Sequence, residues 1–547
     1  MAKKNYATQT QQGSKNSSKR KRGNSNKPKA QAVEKPVNTV AEITANKKFA
    51  NDPNWYFTNK DVASQAANFS MNRIIGASPI KLASTANGDL NLGVANVIQM
   101  NFNPSPGIGA HQHGLNMAAK QLYTSISMSS GRTANYTPDD LSILMLAFGS
   151  VIECIEHCRR AFGLYTYYNS RNFNMPSVVF RAMNIDYDDF AQNYASYLAK
   201  ANAIITKFNS MPVIGQMPWF TKCANIYRTV YKDADDLMAS VVVPTPLSMW
   251  KLEEKTETTG SKLVTVMFSS DETMESILSK IDTSIDALLL SATMNYVYPD
   301  MLNLVDKKGY TLFKIPYFSD GYMVDPEYNE GFLLQMHNAS ITGLPVTNNV
   351  PTGYTAGNDV IADVETTDLV YNPYFNVGLQ PSDSFKSLET VLDFWQGDIT
   401  MEHRIEATRY ATVRELKTVG SKKAWMPVEL SDHYLAYMTT FVGTTTVNNV
   451  IKTYEMSIFS NLLGPDSTGS AYSLTDLFPL LSLIQYDWAP IMWLWNDTTP
   501  GIYRWLMPLQ DIDQFCTVDA SILGRINTMA AQSLFTADQT LSLMNNK

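Results

Sequence analysis

The sequence predicts a mainly α-helical α+β body behind a basic arm. Three observations carry that reading. Apolar residues recur at alternating three- and four-residue spacing in several separate stretches, as in helices with one buried face. One pair of apolar runs flanks a polar turn, as in a hairpin. The first 48 residues hold too little apolar side chain to join a core.

The arm comes first. Residues 19–29 read KRKRGNSNKPK, with six cations and no anion. Residues 1–48 hold twelve Lys and Arg against Glu34 and Glu42, a net of +10. The whole chain carries −7, so the body carries −17. Burial cannot offset the chain entropy of such a segment, which predicts disorder. The sign asymmetry suits a polyanion, because each neutralised phosphate releases a counterion. No aromatic residue lies between Tyr6 and Phe49 to stack on bases, so phosphate contact is favoured over base reading. The candidate contacts are Lys3, Lys4, Lys15, Lys19, Arg20, Lys21, Arg22, Lys27 and Lys29. A nuclear localisation signal in KRKR and a plain solubilising tail remain alternatives.

Order is expected from Asn51, where NDPNWYF supplies a turn signal and the first clustered aromatics. The clearest helix is TPDDLSILMLAFGSVIECIEHCRRAFG. Thr137 caps it, Pro138 takes the first helical position, and Asp139 and Asp140 complement the dipole. Leu141, Leu144, Phe148, Val151, Ile155, Cys158 and Phe162 form its stripe. Arg159 and Arg160 then suit its C-terminus and Gly163 its end. A second helix follows in IDYDDFAQNYASYLAKANAIITKF, with Asp186 as cap and Phe190, Tyr194, Tyr197, Ala201, Ile204 and Phe208 inward. A third runs through SSDETMESILSKIDTSIDALLLS, capped by Ser270 or Asp271, with Met274, Ile277, Ile281, Ile285 and Leu288 inward. INTMAAQSLF near the C-terminus also reads helical. LSMWKL (247–252) and KLVTVMF (262–268) form the hairpin around Gly260. TLFKIPYF (311–318) reads as an edge strand because of Pro316. Residues 339–385 read as long surface loops.

The totals exclude some classes. At 547 residues the chain has room for about two to four domains. Four cysteines, Cys154, Cys158, Cys223 and Cys516, are too few for a disulfide scaffold and suit a reducing compartment. Residues 1–30 lack the apolar stretch of a secretory signal. The most apolar run, FPLLSLIQYDWAPIMWLW, is interrupted by Asp487 and Pro490 before it reaches the roughly 20 residues a span needs.

Several motifs invite a chemical reading. Glu153-Cys154-Ile155-Glu156-His157-Cys158 resembles a metal cluster, but helical spacing puts both cysteines at the apolar stripe and Glu156 and His157 elsewhere, which favours core packing. His111-Gln112-His113 lacks a second pair of ligands. PGIGAHQHG lacks the lysine and the strand–turn–helix context of a phosphate loop. Asp186-Tyr187-Asp188-Asp189 and Asp233-Ala234-Asp235-Asp236 could hold magnesium, but each is placed where a helix start favours carboxylates. The residues therefore suggest no catalytic site, no metal and no cofactor.

Taken together, the segments resemble picobirnavirus capsid proteins. The resemblance rests on NDPNWYF after a basic arm, PGI at 106–108, TPDDL through RRAFGLYTYYN, PSVVFRAMNIDYDDF, and NIYRTVYKDADDLM at 225–238. The tryptophan-rich C-terminal segment and the closing helix agree with it. It is densest over 51–295 and weak over 339–470. It implies a viral capsid fold, intertwined homodimers closing an icosahedral shell around double-stranded RNA, and an interior arm open to cleavage during maturation. The implied layout is an arm at 1–48, a helical shell domain at 49–295, a strand- and loop-rich projecting region at 296–470, and a C-terminal segment, 471–547, returning to the shell. The implied partners are further copies of the chain and viral RNA, in a virion assembled in the host cytoplasm; no membrane or receptor is identified. Two other readings compete: a non-assembling RNA-binding nucleoprotein, and a metal-dependent hydrolase using an Asp cluster with an RNA-tethering tail.

Overall fold

The computed structural model describes residues 53–68, 81–82, 90–91, 97–108, 114–131, 134–170, 177–236, 239–254, 260–319, 321–363, 368–376, 387–419, 422–447, 450–463, 483, 486–496 and 505–537. The chain divides into two units, residues 1–71 and 72–547. In the first, a 3-10 turn at Pro53–Thr58 precedes helix α1 (Lys60–Ala67). Asn59 caps α1 by accepting from the Asp61 amide at 2.9 Å. Trp55, Tyr56 and Phe57 are exposed.

The second unit is organised around one strand and one helix. Strand β1 (Val97–Pro104) is buried at every residue. Ile98, Met100 and Phe102 face one core, while Val97 joins the other. Two of its three polar side chains are satisfied in place: Gln99 donates to Asn184 Oδ1 and Asn103 to the Tyr434 hydroxyl, both at 2.9 Å, while the Asn101 amide is buried without a partner. Helix α2 (Gly114–Ser130) leads to α3 (Pro138–Ser170). Helix α3 is buried on all sides from Asp139 to Leu164, so the single stripe read from the sequence is only part of its contact surface. Pro138 opens it as expected, but the Thr137 hydroxyl donates instead of capping: Asp140 Oδ2 accepts from the Thr137 amide at 3.0 Å and hydroxyl at 2.9 Å. It does not stop at Gly163. That residue lies inside the helix, and its missing side chain lets another segment pack on it: an added Cβ would lie 2.3 Å from Val324 Cγ2. Arg159 and Arg160 are thus mid-helix and buried. By length and composition α3 could cross a membrane, but its apolar window is wholly enclosed by protein.

Around α3 lie α4 (Ser177–Ala182), α5 (Tyr187–Asn209) and α6 (Pro218–Tyr227). Asp186 caps α5 as expected, accepting from the amides of Asp188 and Asp189. Phe190, Tyr197, Ala201, Ile204 and Phe208 are buried, and Tyr194 packs partly buried against them. Strands β2 (Tyr231–Lys232) and β3 (Val241–Pro246) follow, then the expected hairpin of β4 (Ser248–Glu253) and β5 (Lys262–Met267). Helix α7 (Met274–Leu290) buries all five predicted residues, but its cap is Thr273. Neither Ser270 nor Asp271 serves: both lie ahead of the cap position, and Asp271, at φ +52°, has a left-handed backbone where a cap is extended. Helix α8 (Ala292–Lys308) completes the helical layer. Residues 311–318 are extended but make only an isolated bridge, Leu312 to Ile214. Asparagines of α5 take the place of a neighbouring strand: Ile315 N donates to Asn209 Oδ1 at 2.9 Å and Phe318 N to Asn202 Oδ1 at 3.1 Å.

Helix α9 (Glu330–His337) precedes the segment expected to be loop. Within it, β6 (Val360–Asp363) and β7 (Asp368–Val370) extend the hairpin into a sheet of order β7-β6-β5-β4. Next come β8 (Thr390–Phe394), α10 (Met401–Ala407), β9 (His433–Val447) and β10 (Val450–Ile458). Strand β9 runs antiparallel to β1, from His433 opposite Pro104 to Phe441 opposite Val97. The central sheet has the order β10-β9-β1-β3-β2, with β1 and β3 parallel. Strand β11 (Gln514–Val518) pairs with β8, and α11 (Ala520–Leu534) packs on α2.

Candidate functional site

The most concentrated chemistry lies where α3, α6 and the first residue of β9 meet. Helix α3 supplies Glu153, α6 supplies Lys222 and Cys223, and β9 supplies His433 beside Asp432. Glu153 and His433 are 280 residues apart and joined by a bond of 2.8 Å from His433 Nε2 to Glu153 Oε1. His433 Nδ1 meets Asp432 Oδ2 at 2.9 Å. Asp432 also pairs with Lys222. The His433, Glu153 and Asp432 side chains are at most 2% exposed, and Trp219 covers the imidazole with ring centroids 5.4 Å apart.

Burial sets the electrostatics. It opposes protonation of His433, but the Glu153 and Asp432 carboxylates outweigh it and hold the imidazole above its ordinary value. Burial would raise Asp432, yet Lys222, His433 and Arg409 hold it well below the usual carboxylate range. Burial, reinforced by Glu153, pushes the Cys223 thiol well up. Ion pairs this deep are costly to break, because each lost partner leaves an uncompensated charge.

One turn along α3, His157 is a different case. Arg160 can only donate, so its Nη2 fixes His157 Nδ1 as acceptor at 2.8 Å, and Nε2–H donates to the Met183 carbonyl at 3.0 Å. Burial first, then Arg160, depresses its pKa well below the ordinary value. Arg160 also donates to the carbonyls of Thr229 and Pro244. Glu156 pairs with Arg159 at 2.6 Å, and Arg159 lies over the Tyr322 ring. The expectation that Glu156 and His157 point away from the core is therefore corrected. A helix enclosed on every side has no outer face, and it satisfies its charges internally. Cys154 and Cys158 are buried and unpaired.

The acidic clusters do not converge. Asp186 is occupied as a cap, and Asp189 accepts from the Tyr197 hydroxyl at 2.9 Å. Asp233–Asp236 do not open a helix. They form the bend after β2, where Asp233 N bonds the Ser240 carbonyl and Lys232 lies 3.5 Å from Asp235. His111 and His113 fall outside the described residues, as do the arm cations Lys3, Lys4, Lys15, Lys19, Arg20, Lys21, Arg22, Lys27 and Lys29.

Sequence reasoning noted Glu153 and Cys223 but not their meeting with His433. Three segments far apart in the chain build the centre, and no local spacing announces that. Among the described residues, Glu153, Cys223 and His433 form a three-donor group able to hold a metal ion.

The fold and its enclosed charges define a structural body, and comparison with known proteins places it among virus capsid proteins. Residues 55–464 match the model described as "Picobirnavirus, Capsid protein", and the chain belongs to that family. It is similar to a capsid protein precursor of human picobirnavirus (strain Human/Thailand/Hy005102/-), 24% identical over 562 residues that cover 97% of this chain and 98% of the relative. Its fold is similar to that in the crystallographic structure of the picobirnavirus capsid, with TM-score 0.74 and 19% identity, covering 91% of this chain and 100% of that one.

Proposed function

We infer that the chain assembles as homodimers into an icosahedral shell enclosing double-stranded RNA, with the arm at 1–48 binding RNA phosphates. The family match over 55–464 carries the reading. The +10 arm on a −17 body supports the division of labour: the body stays soluble and the arm meets the polyanion. Exposed apolar side chains support self-association. Phe515 on β11 is 68% exposed, and Met401 and Ile405 are exposed on α10, which packs on the strand that β11 pairs with. Free cysteines suit assembly in the host cytoplasm. The similar human picobirnavirus protein is named a precursor, which supports cleavage of the arm here too. The shell domain spans 49–295. Residues 296–470 supply the projecting surface, rooted in the body by the ladder of β9 on β1, and 471–547 return to the shell.

The test is assembly followed by RNA titration. Purified full-length chain should give closed particles in negative-stain images and light scattering, and so should the chain lacking residues 1–48. A monomer or small oligomer under all conditions would favour a nucleoprotein or an enzyme. Replacing Lys19, Arg20, Lys21 and Arg22 with Gln should lower the slope of log affinity against log salt by about 3 to 4, for all RNA sequences alike. An unchanged slope would remove the arm from the RNA contact.

A further inference from the structure

The charge centre contains more polar atoms than partners. Glu153 Oε2, Tyr227 Oη and Tyr410 Oη are all buried without a hydrogen bond. Both phenols lie within electrostatic reach of the Glu153 carboxylate. Leaving such a group unsatisfied in the interior is costly. A buried guest at this carboxylate would give Glu153 Oε2 a partner.

The donors specify the guest. One carboxylate oxygen of Glu153, the sulfur of Cys223 and a ring nitrogen of His433 lie within 4.8 Å of one another. Asp432 grips His433 Nδ1 and so turns Nε2 toward the centre. Metal-bound imidazoles commonly carry an outer carboxylate in that position. A set of one thiolate, one imidazole and one carboxylate suits zinc, and the sulfur argues against calcium and magnesium.

We propose that Glu153, Cys223 and His433 bind a zinc ion that staples α3, α6 and the start of β9. The fourth position takes a water. When zinc binds, the Cys223 thiol proton and any proton on the coordinating ring nitrogen of His433 leave. No oxidation is involved. The required movement is small. Tetrahedral zinc with bonds of about 2.0–2.3 Å sets its ligand atoms roughly 3.3–3.8 Å apart. The 4.8 Å spread draws in, and the 2.8 Å Glu153–His433 contact opens.

The experiment uses full-length chain produced with zinc in the medium, with metal measured by mass spectrometry after exhaustive dialysis. About one zinc per chain is expected, lost in Cys223→Ala and retained in Cys154→Ala and Cys158→Ala. Cobalt-substituted wild type should show a thiolate-to-cobalt charge-transfer band that Cys223→Ala abolishes. Circular dichroism checks the fold of each variant; if Cys223→Ala does not fold, the wild-type cobalt band decides alone. Wild type without zinc and without that band would overturn the site, and so would zinc retained in folded Cys223→Ala. The centre would then be a proton-held ion pair.

Discussion

Helices α3 and α5 lie side by side and solve burial in opposite ways. Helix α5 has one inward face; its other side carries Asn193, exposed, and Lys200, which pairs with Glu275 of α7. Helix α3 has no outward face between Asp139 and Leu164. On α5 a charge is a solvated group held by a surface pair. On α3 it is a structural part: Glu153 bonds His433, Arg160 bonds three acceptors, and Asp140 accepts from Ser261 Oγ at 3.2 Å. A helical period shows which side is apolar. It does not show whether the polar side meets water or another layer of protein.

The strongest way to break the contrast is a large-to-small change on α3. Phe148 is fully buried, with ring centroids 6.3 Å from both Phe208 and Phe220. Phe148→Ala should cost about 3–5 kcal/mol in denaturant unfolding. Asn193→Ala on α5 should stay within about 0.5 kcal/mol. Equal losses at the two positions would erase the distinction.

A smaller effect tests close packing. Gly163→Ala puts a methyl 2.3 Å from Val324 Cγ2 and 2.9 Å from its backbone nitrogen. Because the backbone cannot swing aside as a side-chain tip can, the expected cost is about 1–3 kcal/mol. A gain in stability, as an exposed mid-helix Gly→Ala gives, would mean that the 324 segment is free to move off α3.

The same contrast explains what the sequence made legible. The α5 cap and inward face were readable because Asp186 and the 3.6 period act locally. The hairpin β4–β5 was readable for the same reason. Strands β1 and β9 were not. The alternation of Ile98, Met100 and Phe102 with Gln99, Asn101 and Asn103 would mark at most a half-exposed strand, whereas β1 is buried on both sides, and long-range partners such as Asn184 and Tyr434 make burial of Gln99 and Asn103 tolerable. Helix α3 was legible as an element, with its start, but not with its end or its full burial. The charge centre was least legible, since Glu153, Cys223 and His433 come together only through tertiary structure.

The next effect is one of pH. His157 is held neutral in the fold, with a pKa depressed by burial and by Arg160. In the unfolded chain it titrates near its ordinary value of about 6.5. Its contribution to stability is therefore complete above that pH and is lost as pH falls toward the folded value. The loss should reach at most about 1.4 kcal/mol per pH unit. His157→Gln keeps an acceptor and a donor but removes the titration. The stability difference between wild type and variant should then drift against wild type below about pH 6.5. A difference constant from pH 7 to 5 would show that His157 is already solvated in the fold.

The smallest effect is expected on the outer side of α5. Lys207 reaches Asp282 at 2.7 Å and Asp286 at 2.9 Å, both on α7, and its side chain is 40% exposed. Hydrogen bonds to Asp282 and Asp286 raise its pKa, so the ammonium stays charged across the working range. Water reaches all three groups, and each long side chain loses rotamer freedom in holding the pair. Lys207→Met keeps most of the apolar stem and removes only the charge. It should cost less than about 1 kcal/mol, and the difference should shrink at 1 M salt, where the screening length is about 3 Å. A salt-independent loss above about 2 kcal/mol would instead require the carboxylates to be shielded from water, as buried charges are. The outer side of α5 would then belong with α3, and the contrast between the two helices would fail where it is easiest to measure.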